Sequence, residues 1–428
     1  MQPVFLRLVF VTLALHAALG SASEPLLQVQ SAQAGDRFGA AIAGVGDVDA
    51  DGIPDFLVGA YRAERAGPLS GQVRLISGRS TRELKRWQGE HAHDALGWSV
   101  AALGDLNEDG VNDFAFGAPG GTPPEGSVRV VSGRNGEALY TVVGKQPGDR
   151  FGHAITRLGD VDGDGVSDFA VGAPQADTVG QLSGRVRVVS GADGSTVRAH
   201  HGAAFDLFGQ ALASVADLND DGVNELLVGA PFSDEAAFNG GSAWLFSGAD
   251  GDVLMAFHGA DVGDQLGHWV AAAGDVDADG HEDIALGLPG SDLGGLDAGA
   301  VQVRSGANGN VLLELTGDQA GQGWGVVAGP GDVDGDGHDD IAMGSTNAGA
   351  PDTSASAGRV RVVSGASGET LLDHTGASAD AWFGYALARV GDLNADGRAD
   401  VLVGAPGHDD VLSVFGSVQA LVLPRADD

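Results

Sequence analysis

The chain contains no cysteine, which excludes a disulfide framework and any thiolate metal site. Aromatic residues make up only 6% of it, with three tyrosines among its 428 residues. Basic residues are scarce as well. Lys and Arg total 23 against 59 Asp and Glu, leaving a formal net charge of −36. That balance argues against nucleic acid and anionic membranes as partners and favours divalent cations or basic surfaces. No apolar run of membrane-spanning length occurs. The one apolar core near the start, Leu8 to Leu15, follows Arg7 and precedes small residues at Gly20 to Ser23. This pattern predicts a signal peptide over residues 1–23. Secretion without cysteine points to a bacterial, extracellular or periplasmic protein, and the missing cysteine also removes a lipoprotein anchor.

Glycine is abundant instead, at 71 residues, and 43% of the chain is hydrophobic. Many turns and small packed residues suit an all-β architecture, and the apolar content is ample for a core. One sentence recurs seven times. Its clearest copy is GDVDGDGVSDFAVGAP, Gly159 to Pro174. The first loop acids, Asp47, Asp105, Asp160, Asp217, Asp275, Asp332 and Asp392, are spaced 58, 55, 57, 58, 57 and 60 residues apart. A period of this kind marks a repeat architecture.

Each unit reads as four short strands. Phe-Gly or a near equivalent stands nine residues before the first acid, as in Phe38-Gly39, Phe151-Gly152, Phe208-Gly209 and Phe383-Gly384. Units two and five use Leu96-Gly97 and Leu266-Gly267, and in unit six Gly323 and Trp324 fall at that spacing. After the acid loop, a run such as FAVGA is apolar on both faces, as expected of a strand covered on both sides. The next strand alternates, with Val186 and Val188 set against Arg185 and Arg187, which predicts one wetter side. Such sheets stacked around an axis form a seven-bladed β-propeller of four-stranded blades. The last unit lacks a fourth strand, and PLLQVQS, Pro25 to Ser31, supplies a match for it. Leu26 to Gln30 should therefore close the ring beside Val418 to Leu423, leaving no open sheet edge there. The propeller is expected over residues 24–428.

The acid loops place oxygen ligands at positions one, three, five and nine, with glycine at six for the sharp turn. The sets are Asp47, Asp49, Asp51 and Asp55; Asp105, Asn107, Asp109 and Asp113; Asp160, Asp162, Asp164 and Asp168; Asp217, Asn219, Asp221 and Glu225; Asp275, Asp277, Asp279 and Asp283; Asp332, Asp334, Asp336 and Asp340; and Asp392, Asn394, Asp396 and Asp400. Oxygen-only donors at alternate positions suit a hard cation, calcium above all, with up to seven ions. An EF-hand fits worse, because position twelve is apolar, as at Val171, and strands flank the loop. The bland alternative is a solvated polar hairpin. The loops with Asn at position three should bind more weakly, and the longer Glu225 should alter its site.

These Phe-Gly…Gly-Ala-Pro units with DxDxDGxxD loops resemble FG-GAP repeats, as in the seven-bladed propeller of integrin α subunits. In those subunits only some blades carry such loops, whereas all seven do here. The resemblance implies an adhesion or ligand-binding module whose partner is protein or glycan. The propeller face comparable to the variable loops takes part in ligand binding there. Those loops are Arg62 to Leu69, Thr122 to Glu125, Phe232 to Asn239, Asp292 to Asp297 and Ala348 to Ala357, opposite the acid loops. No HExxH, GxSxG or phosphate-binding loop occurs, so no catalytic residue is assigned. The alternative reading is an extracellular enzyme acting on polysaccharide from the variable-loop face. His153 and His268 share one repeat slot and read as packing, and Trp98, Trp269 and Trp324 read as inter-blade core rather than sugar platforms.

Overall fold

The computed structural model describes residues 25–121, 124–348, 356–407 and 415–421. The signal-peptide segment lies outside them, as do parts of the second and sixth variable loops. The described residues form 28 strands and no helix, arranged as seven four-stranded sheets. Within each blade the strands follow one another outward from the axis, every pair antiparallel. In blade three these are Ile155–Gly159, Asp168–Ala173, Arg185–Val189 and Thr196–His201. The seventh blade takes its outer strand from the start of the chain, with Leu27–Ala34 pairing to Phe415–Leu421. Leu27 faces Ala420 and Gln30 faces Ser417, so the ring closes as the sequence predicts.

The core lies between blades. Phe151 of blade three is buried among Val128, Val130 and Val142 of blade two and Phe169 and Val171 of its own. Six further clusters repeat this, and the one formed by Phe38, Phe56, Val58, Leu402 and Val418 spans the closure. The second strand of every blade is wholly buried, which explains why FAVGA is apolar on both faces.

What joins the blades is a backbone contact. The glycine of each Gly-Ala-Pro lies under the carbonyl of the next blade's Phe-Gly glycine. A Cβ on Gly59, Gly117, Gly172, Gly229, Gly287 or Gly344 would overlap the carbonyl oxygen of Gly97, Gly152, Gly209, Gly267, Gly325 or Gly384, respectively. Gly404 meets Gly39 in the same way across the closure. The Phe-Gly amide meanwhile donates back to its own blade, as from Gly209 N to Gly229 O at 3.0 Å. The aromatic or Leu before it bridges to the glycine just ahead of the preceding blade's third strand, as Phe208 does with Gly184.

Two expectations change here. In unit six the pair that fills this slot is Trp324-Gly325, one residue nearer the acid loop than the common spacing. Trp324 is fully buried, bridges to Gly299, and Gly325 donates to Gly344. A one-residue deletion is absorbed because packing fixes the large side chain, not the count. The third strand is also drier than its alternation suggests: Arg185 and Arg187 are 5% and 6% exposed. Arg185 pairs with Asp149 at 2.9 Å. Arg187 lies 4.7 Å over the Phe151 ring and donates to Val143 O of blade two. The outer strand takes the wet face instead.

Replacing Gly172 with Ala should lower the unfolding free energy by about 3 kcal/mol or more, because a backbone carbonyl cannot yield as a side chain can. Urea denaturation of the purified variant checks this.

Candidate metal centres

Each acid loop connects the first and second strands of its blade, and the short Ser-Gly turn between third and outer strands sits at the same end. Hydrogen bonds tie the two together, which places the variable loops on the opposite face. Position nine opens the second strand, where burial is complete. Asp55, Asp113, Asp168, Glu225, Asp283 and Asp340 are all 0% exposed, and Asp400 is 3% exposed. In blade three, Asp168 Oδ2 accepts the amides of Val161 at 2.7 Å and Asp162 at 3.3 Å, while Oδ1 accepts the amide of Gly191 in the Ser-Gly turn at 2.9 Å. Glu225 makes the corresponding bonds to Leu218 and Gly248, so its extra methylene leaves the arrangement intact. The ninth acid is thus a staple for buried backbone donors.

Position one shapes the loop. Asp160 Oδ1 accepts Asp164 N–H at 3.0 Å, and Oδ2 accepts Gly165 N–H at 2.9 Å. That glycine has φ +90°, a conformation few other residues tolerate. Position three accepts from the amide of position five, through Asp162 Oδ1 in blade three and through Asn107, Asn219 and Asn394 elsewhere. Position five turns toward the neighbouring hairpin in several blades. Asp109 and Asp221 accept from Ser132 and Ser247, and Asp51 pairs with Arg79 at 3.4 Å.

Four loops bring three carboxylates into one cluster, with an oxygen from each within 4.8 Å of the others. These are Asp47, Asp49 and Asp55; Asp160, Asp162 and Asp168; Asp275, Asp277 and Asp279; and Asp332, Asp334 and Asp340. In three of the four, positions one, three and nine meet while position five stands apart. An all-oxygen set of converging carboxylates is the chemistry a hard divalent cation requires. It would supply the positive charge these loops lack.

Burial pushes the ninth acids upward, with Asp55, Asp283, Asp340 and Asp400 each raised to about 6. Burial raises Asp113, Asp168 and Glu225 as well. A carboxyl raised in the folded state holds its proton where the unfolded chain has lost it. In the metal-free chain, the contribution of these carboxyls to stability therefore falls as pH rises between the ordinary carboxylate value and about 6. His153, His200, His201, His268 and His374, lowered by burial, act the other way as pH falls through the ordinary imidazole value.

A second buried acid is repeated two residues before the Phe-Gly slot and carries no role in the sequence reading. Asp36, Asp94, Asp149, Asp206 and Asp264 are each at most 7% exposed. Asp149 and Asp206 accept turn amides, Gln146 N–H and Ala203 N–H. The recurring D-x-[FL]-G was the available signal. Among the aromatic residues, Trp324 is core and the half-buried Trp269 packs against the same core between blades five and six, as the inter-blade reading has it, whereas Trp98, half-buried beside the axial channel with His153 and His268, departs from that reading.

Seven repeats of this geometry define an FG-GAP β-propeller. The FG-GAP repeat model matches residues 96–131, 151–189, 208–246, 324–363 and 383–421, which are blades two, three, four, six and seven. The chain is 30% identical over 213 residues to integrin alpha-V of Gallus gallus and 31% over 214 residues to integrin alpha-5 of Xenopus laevis, each match covering 46% of this chain and 20% of the relative. It is 30% identical over 295 residues to integrin alpha pat-2 of Caenorhabditis briggsae, covering 61% of this chain and 23% of that relative. The chain thus carries FG-GAP repeats in five places and resembles the propeller of integrin alpha chains, and each match spans about a fifth of the relative's length.

Asp168→Asn should cost about 2–4 kcal/mol even in chelator, because it turns an amide group toward backbone donors, and more with calcium, because it also removes one of the converging carboxylates. Asp162→Asn, whose side chain is not buried against such donors, should cost stability only when calcium is present. Thermal denaturation of both variants under both conditions separates the two roles.

Proposed function

We propose that this is a secreted, calcium-binding β-propeller that acts as an adhesion or ligand-binding module. The signal-like segment at residues 1–23 supports export. No helix among the described residues is long and apolar enough to cross a membrane. The bacterial origin rests on the missing cysteine. The metal ligands are the carboxylate and amide side chains at positions one, three, five and nine of the seven loops. Up to seven calcium ions would bring fourteen positive charges against the formal −36. Two carboxylates about 4 Å apart repel by about 4 kcal/mol at an effective dielectric near 20, and a dication reverses that sign. At about ten times its dissociation constant, each ion would add about 1.4 kcal/mol.

One observation carries the ligand-binding reading. On the face opposite the acid loops, successive connections of blades three to five expose large apolar side chains. Val179, Phe205, Phe238, Val262, Leu293 and Leu296 are each at least 55% exposed. Such side chains on loops held by a rigid scaffold mark an interaction surface, and a protein ligand is the partner that fits them.

Full chelation should lower the melting temperature by many degrees, and calcium should restore it, whereas an unchanged melting curve would sink the metal assignment. Changing Phe238 and Leu296 to Ser should leave melting unaltered and remove binding to protein ligands captured by the wild type.

A further inference from the structure

One slot at the acid-loop end of the blades varies in charge. It follows the glycine of the Ser-Gly turn. Blades one and two place Arg79 and Arg134 there, whereas blades three to six place Ala192, Ala249, Ala307 and Ala366. Arg79 reaches across the hairpin end to the fifth position of its own acid loop. Its Nη2 donates to the Asp51 carbonyl at 2.5 Å, and its Nε lies 3.4 Å from Asp51 Oδ2. Arg134 likewise donates to the Asp109 carbonyl.

The fifth acid shows what this changes. In all seven loops its Oδ1 accepts the amide of position seven. Its Oδ2 is what differs. In blades two, four and seven, where position three is Asn, Oδ2 accepts from Ser132, Ser247 or Asn394. In blades three, five and six, Oδ2 of Asp164, Asp279 and Asp336 has no donor among the described residues, which leaves it open to a metal. Blade one has four aspartates as those three do, yet its Oδ2 faces a guanidinium. Two other arginines touch loops of four aspartates. Arg157 bonds Ser167 and Arg398 donates to the Val333 carbonyl, so neither guanidinium pairs with a loop acid.

We propose that Arg79 is an internal counter-ion that competes with calcium at the first acid loop. The inference rests on the calcium reading of these loops. The guanidinium occupies an oxygen that the ion would use, and its charge opposes a dication beside Asp47, Asp49 and Asp55, which converge in that loop. The first site is therefore weaker than its four aspartates imply, and the tight sites are those of blades three, five and six. The Arg79 side chain is 57% exposed, and an exposed ion pair contributes little to folding. Its effect is on the ion and not on the blade, so its removal leaves the fold intact.

The test titrates the calcium-depleted full chain with calcium. Calorimetry reads affinity, native mass spectrometry counts the ions held, and melting curves in chelator show each variant folded. Arg79→Ala should tighten one further site by about fivefold or more. Adding Asp49→Asn to that variant should abolish the gained site, which places it in the first loop. Arg82→Ala removes the same charge from the same turn, at a residue whose side chain meets no loop acid, and should change nothing. An unchanged or weakened titration in Arg79→Ala, or an equal gain from Arg82→Ala, would overturn the inference and leave calcium binding itself standing. No calcium held by any form would overturn it together with the metal assignment.

Discussion

Everything in this fold depends on how closely two peptide backbones approach. The Phe-Gly of one blade and the Gly-Ala-Pro of the blade before it meet glycine against glycine, with no room for a Cβ. That approach lets the large residue ahead of the Phe-Gly glycine drop between two sheets, where it becomes the centre of an inter-blade core. Since the core lies between blades rather than within them, no blade is complete alone. Stability is shared by nearest neighbours around a closed ring. The signature motif is thus the two halves of one contact, contributed by different repeats.

The acid loops are built on the same end of each blade and serve two purposes. The ninth acid is buried and satisfies backbone amides from its own loop and from the adjacent hairpin. The first acid folds the loop around its own carboxylate. The backbone alone therefore accounts for part of the DxDxDGxxD spacing. What it does not account for is the crowding of like charge that results, with three carboxylates converging in four of the loops. Held so near one another at the hairpin end, they call for a positive counter-charge.

Much of this was legible in the chain. Seven units in register give seven blades, apolar FAVGA-type runs give buried second strands, and PLLQVQS gives the closing strand. Three features were not. The Arg185/Arg187 alternation looked half-wet, but Asp149 and Phe151, from the connection leading into the blade, and Val143 O of the neighbouring blade lie against those side chains, and strand alternation carries no record of either. The Trp324-Gly325 slot was hidden by counting, because a one-residue deletion shifts spacing without shifting packing. His153, His268 and Trp98 read as packing because they sit in a repeat slot. Only the ring shows that this slot lines the channel.

The sequence by itself determined the blade, its number, its closure and the acid loops, since each depends on local periodicity and on residues within one repeat. Tertiary structure decided which residues from different repeats face each other. It set the glycine-to-glycine wedge, drew the third-strand arginines inward, and gathered aromatics and imidazoles from separate blades at the channel mouth. The physical reason is distance along the chain. Groups about 57 residues apart in sequence become neighbours only when the ring closes, and a pattern that repeats faithfully cannot say what its rare variations face.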